Sequence, residues 1–231
     1  MSARDAMLAD IRAALGRKGP VDAATRAALD ARLKGHKVNL VPKRGLVEGR
    51  EKIEAFVKMA EFSLATVRRV RSQAEVPSAV TEYLKSQNLP PRLRMAPDKK
   101  LDEIPWSLAP LLQIARGKPD PADEVGLTGA FAGIAETGTL MLLSGPDSPS
   151  TLNFLPETHV VVVRAGEILG CYEDGWAKLR QGRDGLPRTV NLITGPSRSG
   201  DIEQTLQLGA HGPRRLHIVL VDDGAEAGER G

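Results

Sequence analysis

Two short stretches of this chain carry residue types that do chemistry. The first is Ile134-Ala-Glu136-Thr137-Gly138-Thr139, which leads into the apolar run Leu140–Leu143. One carboxylate stands there among small polar residues, beside a segment that reads as a buried strand, so Glu136 is a candidate site. The plainer alternative is a glycine-rich turn in which Glu136 holds backbone N–H groups. The second stretch is Gly195-Pro-Ser197-Arg198-Ser199-Gly200, after the apolar run Val190–Ile193. Ser197 and Ser199 are natural helix N-caps, and the residues after them predict a helix over Asp201–Leu208. Free N–H groups at a helix start favour anions, and a guanidinium such as Arg198 suits a carboxylate or phosphate. The Gly-Lys-Ser/Thr ending of a P-loop is absent, and Asp201 and Glu203 could satisfy the helix end themselves, so a plain capped helix stays open.

The two strand endings echo each other, Leu143-Ser144-Gly145-Pro146 and Ile193-Thr194-Gly195-Pro196. Ligands of open α/β sheets bind at the carboxyl ends of strands. Both loops are therefore expected at one rim, facing a common hollow. The expected ligand- or anion-binding set is Thr128, Thr137, Gly138, Thr139, Ser144, Gly195, Ser197, Arg198 and Ser199, with Glu136 as the candidate catalytic group. His211, in the turn His211-Gly-Pro213, has no acid partner nearby in sequence and reads as structural.

Composition narrows the class. No apolar run approaches the roughly 18 residues of a membrane span. Asp5, Asp10 and Arg12 interrupt any leader-like apolar segment, which implies a cytoplasmic protein. Cys171 is the one cysteine, so this chain cannot supply the thiolates of a standard iron–sulfur or cysteine-rich zinc site. The histidines His36, His159, His211 and His217 show no metal-ligand spacing. Basic clusters, Lys34 to Arg50 and Arg68 to Arg71, lack interleaved aromatics in a chain that is only 3% aromatic. They read as solvated faces and not as a nucleic-acid surface.

The elements that must position these residues follow from periodicity. Residues 2–15 predict an amphipathic helix capped by Ser2, with Asp5 three residues on, and Asp22–Lys34 a second that Gly35 ends. Such helices suit packing on a partner, on a sister subunit in a homodimer, or on their own sheet. A helix over Arg50–Met59, a strand over Ser63–Val70 and a helix over Glu75–Gln87 follow, then a proline-broken stretch over 97–122. The runs Leu140–Leu143, Val160–Val163, Val190–Ile193 and Leu216–Val221, with a helix over Glu167–Gln181, imply a mostly parallel sheet flanked by helices. The expected organisation is a helical extension over 1–48, an α/β domain over 49–223 and a disordered tail over 224–231.

Several ordered blocks together carry a family likeness: Gly126-Leu-Thr-Gly129, Ile134-Ala-Glu-Thr-Gly-Thr-Leu140, Leu155-Pro156 before His159–Val163, Gly195-Pro-Ser-Arg-Ser-Gly-Asp-Ile-Glu203 and Leu208-Gly-Ala-His-Gly-Pro213. Over about Val125 to Asp223 the chain resembles the lactate utilization protein C family. That resemblance implies an α/β fold of the sugar-phosphate isomerase and CoA-transferase kind. It also implies a role, beside two iron–sulfur partner proteins, in oxidising L-lactate to pyruvate, with the clusters in the partners and no cofactor in this chain. The same fold analogy offers an alternative. Some CoA transferases use the glutamate of a Glu-x-Gly motif as nucleophile, and Glu136-Thr-Gly138 has that form, which would make the chain an independent enzyme of small anions or CoA esters.

Overall fold

The computed structural model describes residues 2–17, 19–181, 185–202 and 205–223, and the tail expected over 224–231 lies outside them. The chain divides into two units, Met1–Leu40 and Val41–Gly231.

The first unit holds two helices, α1 (Ala3–Ala14) and α2 (Ala23–Gly35). Ser2 caps α1 in the expected capping box: its hydroxyl accepts from the Asp5 N–H, while the Ser2 N–H donates to the Asp5 carboxylate. Asp22 caps α2 by accepting from the Thr25 N–H. His36 ends α2 in the left-handed conformation one residue after Gly35.

The second unit contains, in order, α3 (Gly49–Phe62), β1 (Thr66–Val70), α4 (Val76–Ser86), β2 (Arg92–Met95), α5 (Lys99–Asp102), β3 (Gln113–Arg116), β4 (Val125–Gly129), β5 (Ala132–Ile134) and β6 (Thr139–Leu143). It continues with β7 (Thr158–Arg164), β8 (Ile168–Leu169), α6 (Tyr172–Gln181), β9 (Val190–Ile193), β10 (Arg198–Ile202), β11 (Thr205–Leu208) and β12 (Arg215–Val221). Residues 41–48, which the sequence groups with the helical extension, pack here: Gly45 is buried against Cys171, and Val47 joins the core. Among the described residues no helix is long and apolar enough to cross a membrane.

Six strands form a parallel sheet in the order β1-β12-β7-β4-β2-β3. Side chains alternate across it. Val160 and Val162 of β7, with Val219 and Val221 of β12, face α4 through Val80 and Leu84. Val161, Val163, Ile218 and Leu220 face the other way, toward Phe56 and Ala60 of α3 and toward Leu140 and Leu142 of β6. Near-continuous apolar strands are what a sheet covered on both faces requires.

Three expectations are corrected. First, Leu140–Leu143 and Val190–Ile193 are not strands of the parallel sheet. They are β6 and β9 of a second, four-stranded sheet, β8-β5-β6-β9, in which β6 pairs antiparallel with both neighbours. The burial is as expected: Leu140 and Leu142 face the core below the parallel sheet, while Met141 and Leu143 face Leu179 of α6. Burial on both faces marks a covered strand, but it does not set direction. Second, where a helix is expected over Asp201–Leu208 the described residues are strands, with β10 paired antiparallel to β11 through Arg198↔Leu208 and Ser199↔Gln207. Ser199, Gly200 and Asp201 are weak helix formers, and the alternation in Thr205-Leu-Gln-Leu208 has strand period. Third, the strand β3 lies inside the stretch expected to be irregular, carried in part by Ile114 packing on the core.

Candidate functional site

Two cavities of similar size open at opposite edges of the parallel sheet. The carboxyl-edge cavity, of about 260 Å³, lies where Asp98 and Lys100 follow β2 and where Gly129 and Ala130 end and follow β4. That is the point at which the chain reverses its direction of strand addition, from β2–β3 on one side to β4–β7–β12 on the other. Lys100 is ion-paired there with Glu167. The amino-edge cavity, of about 290 Å³, lies where β7 and β12 begin and β9 ends.

The amino-edge cavity is assembled from segments distant in sequence. The 3-10 turn Ser150–Asn153 supplies Asn153, and β7 supplies His159. Register pairs His159 with Leu216 of β12, so both side chains reach the same wall. The segment Leu192–Arg198 forms the facing wall, and His211 and Pro213 close one end. That segment is pinned from both sides: the Ser197 N–H donates to the Pro213 carbonyl at 2.9 Å, and the Gly209 N–H donates to the Ser197 carbonyl at 2.8 Å.

Among the described residues, two polar atoms on this cavity's lining residues have no hydrogen-bond partner. His159 is fully buried, with Nε2 2.8 Å from the Thr128 hydroxyl, and its Nδ1 is unpaired. Asn153 is also buried, and its Oδ1 is unpaired. Both atoms have under 1 Å² accessible, so they lie behind the cavity surface, and an unmet buried polar group costs roughly 1–3 kcal/mol. Burial pushes the His159 imidazole down to about 3, so it is neutral at physiological pH. Arg198 and Ser197 complete the polar lining, while Leu192, Ile193 and Leu216 are apolar.

Glu136 stands elsewhere. It lies in the turn joining β5 to β6, largely buried, with its N–H donating to the Gly170 carbonyl at 2.9 Å. Its carboxylate pairs with Arg44 at 3.6 Å and packs beside Gly45. Thr137 and Thr139 hydrogen-bond each other at 2.7 Å, and each meets the Tyr172 hydroxyl at 2.8 Å. Thr139 also meets Thr194 at 2.6 Å, which ties this turn to the end of β9. Gly138, at φ +66°, lies on the backbone of α3, where a β-carbon would stand 2.1 Å from the Ala60 nitrogen.

The two echoing loops do not share a rim. β6 and β9 run antiparallel, with Leu143 opposite Val190 and Leu140 opposite Ile193. Ser144 and Gly195 therefore leave from opposite ends of the pair, ~14 Å of strand apart. Ser144 lines the carboxyl-edge cavity, and its hydroxyl accepts from the Thr189 N–H at 2.8 Å. Gly195, Ser197 and Arg198 line the amino-edge cavity, and Thr128 reaches it through His159. Ser199 stands opposite Gln207 in the β10–β11 ladder and is not among the residues lining the amino-edge cavity. Glu136 lines neither cavity, so the common hollow expected for Glu136 and Arg198 does not form. Among the described residues of 201–208 there is strand and not helix, so no helix start stands behind the expected anion cradle, and Arg198 enters instead as the first residue of a strand. His159 and Asn153 escaped sequence reasoning. A histidine opening the otherwise apolar strand Val160–Val163 was the available signal for the first, and Asn153 had none.

A parallel six-stranded α/β core with a cavity at each edge of its sheet defines the architecture, and relatives place it. The chain belongs to the LUD domain family, which matches residues 53–221. It is similar to "Lactate utilization protein C" of Geobacillus sp. (strain WCH70), 31% identical over 132 residues, covering 55% of this chain and 53% of that one. The protein of the same name from Exiguobacterium sp. is 37% identical over 103 residues, 43% of this chain and 45% of its own. An uncharacterized protein of Neisseria meningitidis serogroup B is 40% identical over 98 residues, 42% of each chain. The chain spans about half the length of the curated relatives it matches. The crystal structure of a DUF162 family protein from Deinococcus radiodurans superimposes with a TM-score of 0.56 at 26% identity, covering 76% of this chain and 99% of that one.

Proposed function

We propose that this chain is a non-redox component of an L-lactate utilization system, acting beside two iron–sulfur proteins. The observation that carries the proposal is the LUD-domain match over residues 53–221 in a chain related to proteins named lactate utilization protein C, with Arg198 in the lining of the amino-edge cavity. Oxidising lactate to pyruvate releases two electrons and two protons. In this proposal the iron–sulfur centres of the partners take the electrons, and this chain contributes binding. Its one thiol suits that division: Cys171 is buried, and burial pushes its pKa up, away from the reactive thiolate.

The rival role, an independent CoA-ester enzyme with Glu136 as nucleophile, draws less support. A nucleophilic carboxylate must reach its substrate, whereas Glu136 is paired with Arg44 and set apart from both cavities.

Reconstitution tests the proposal. The two iron–sulfur proteins are mixed with lactate and an electron acceptor, with and without this chain, and pyruvate is measured. Pyruvate formation should depend on the chain; an equal rate without it would overturn the proposal.

A further inference from the structure

We infer that the carboxyl-edge cavity is a second binding site, for a small organic cation: an ammonium group on a short apolar body, held by Asp98. This inference stands apart from the functional proposal, because it concerns a different cavity and a ligand of the opposite charge.

Topology sets the place. The cavity opens where Asp98 follows β2 and Gly129 ends β4, at the reversal of strand order, and open α/β sheets take their ligands at such a point. Asp98 is fixed there by its own segment. Its Oδ1 accepts from the Lys100 N–H at 2.9 Å, and its Oδ2 lies so near Gly129 that a β-carbon on the glycine would stand 3.0 Å from it. Among the described residues Oδ2 meets no donor, and unlike His159 Nδ1 it is accessible. A lining carboxylate is thus held in place with one oxygen open.

Counting donors and acceptors selects the charge. The donors around the cavity are largely spent. The Ala130 N–H donates to the Val162 carbonyl at 3.0 Å, the Phe131 N–H to Met141 at 2.9 Å and the Ser144 N–H to Thr189 at 2.9 Å, while Gly145 and Ser148 exchange N–H bonds at 3.2 Å. The Lys100 ammonium is paired with Glu167, and Lys178 is held on the Phe131 carbonyl at 3.0 Å and does not line the cavity. Acceptors remain. Among the described residues neither Asp98 nor Asp147 is in a salt bridge, and the hydroxyls of Ser144 and Ser148 can accept as well as donate. An anion would meet two uncompensated carboxylates and few donors. An ammonium group meets both carboxylates as charge-assisted acceptors, the strong kind. Phe131, Leu143 and Pro146 offer apolar contact to its hydrocarbon, and about 260 Å³ admits a body of several carbons.

Isothermal titration of the full chain with butylamine, 1-butanol and butyrate at neutral pH and low salt tests this. The amine is protonated there, as a lysine is. It should bind about tenfold more tightly than the alcohol or the acid, the factor expected of a hydrogen bond to a charged group. Asp98→Asn keeps a side chain that caps as well and should remove that preference. Gly129→Ala, which crowds Oδ2, should weaken the amine and leave the alcohol unchanged. Asp147→Asn, at an exposed position, should also weaken the amine, and it tests the charge even if Asp98→Asn fails to fold. Arg198→Gln, in the other cavity, should alter none of the three. Equal affinities for the three probes, no binding of the amine at millimolar concentration, or an unchanged amine affinity in either folded aspartate variant would overturn the inference. Reconstitution that still depends on the chain would then leave the functional proposal standing, whereas amine binding with chain-independent pyruvate formation would sink that proposal alone.

Discussion

Gly195 lies so close to Ser63 that a β-carbon on it would stand 1.9 Å from the Ser63 carbonyl oxygen. Its φ of +73° is also one that side-chain-bearing residues rarely adopt. The end of α3 and the wall of the amino-edge cavity are therefore in backbone contact, and that contact sets where Ser197 and Arg198 begin. Gly195→Ala should lower stability by at least ~2 kcal/mol in urea unfolding and weaken ligand binding with it. Gly166→Ala, with nothing within 4 Å of the added carbon, should change stability by less than about 0.5 kcal/mol.

Two buried histidines make stability depend on pH. Burial pushes His159 down to about 3, and burial followed by the nearby Arg68 charge pushes His217 down to about 4. His217 is stacked on Tyr83, with its Nδ1 2.8 Å from the Thr66 hydroxyl. Unfolded histidine titrates near 6.5. Above that pH both states are neutral and the full stability is present. As pH falls below it the unfolded chain gains two protons that the folded chain refuses until about pH 4 for His217 and about pH 3 for His159. Between pH 7.5 and 5.5 the loss should total about 3 kcal/mol. Urea midpoints at the two pH values measure it, and a flat profile would contradict the burial.

Tyr172 gathers the hydroxyls of Thr137 and Thr139. Tyr172→Phe deletes the shared partner but keeps the ring, so it should cost about 1–2 kcal/mol. Thermal unfolding reads this directly. An unchanged midpoint would mean that the threonines satisfy each other without it.

Glu136→Gln separates a structural carboxylate from a nucleophilic one. The amide keeps the shape beside Gly45 but loses the charge that faces Arg44. Arg44 is well exposed, so the pair contributes little, on the order of 0–1 kcal/mol. Pyruvate formation in the reconstituted system should stay within twofold. A hundredfold loss would restore Glu136 as a reacting group.

Much of this molecule was legible in residue order. The Ser2–Asp5 spacing foretold the start of α1, and the runs Val160–Val163 and Leu216–Val221 foretold two central strands of the parallel sheet. The blocks from Gly126 to Pro213 foretold the family. Capping and periodicity are relations between neighbours a few residues apart, so sequence carries them. The direction of β6 and β9, the strand character of Arg198–Ile202, and the meeting of Thr128 with His159 are of another kind. They depend on which distant segment lies alongside. A buried run pairs equally well in either direction until a partner is chosen, and a histidine's free nitrogen has meaning only once the hydroxyl 31 residues away has claimed the other. Residue order alone determined the layers and the kinship. The tertiary pairing decided that Ser144 and Arg198 serve different cavities, because antiparallel neighbours send their ends apart.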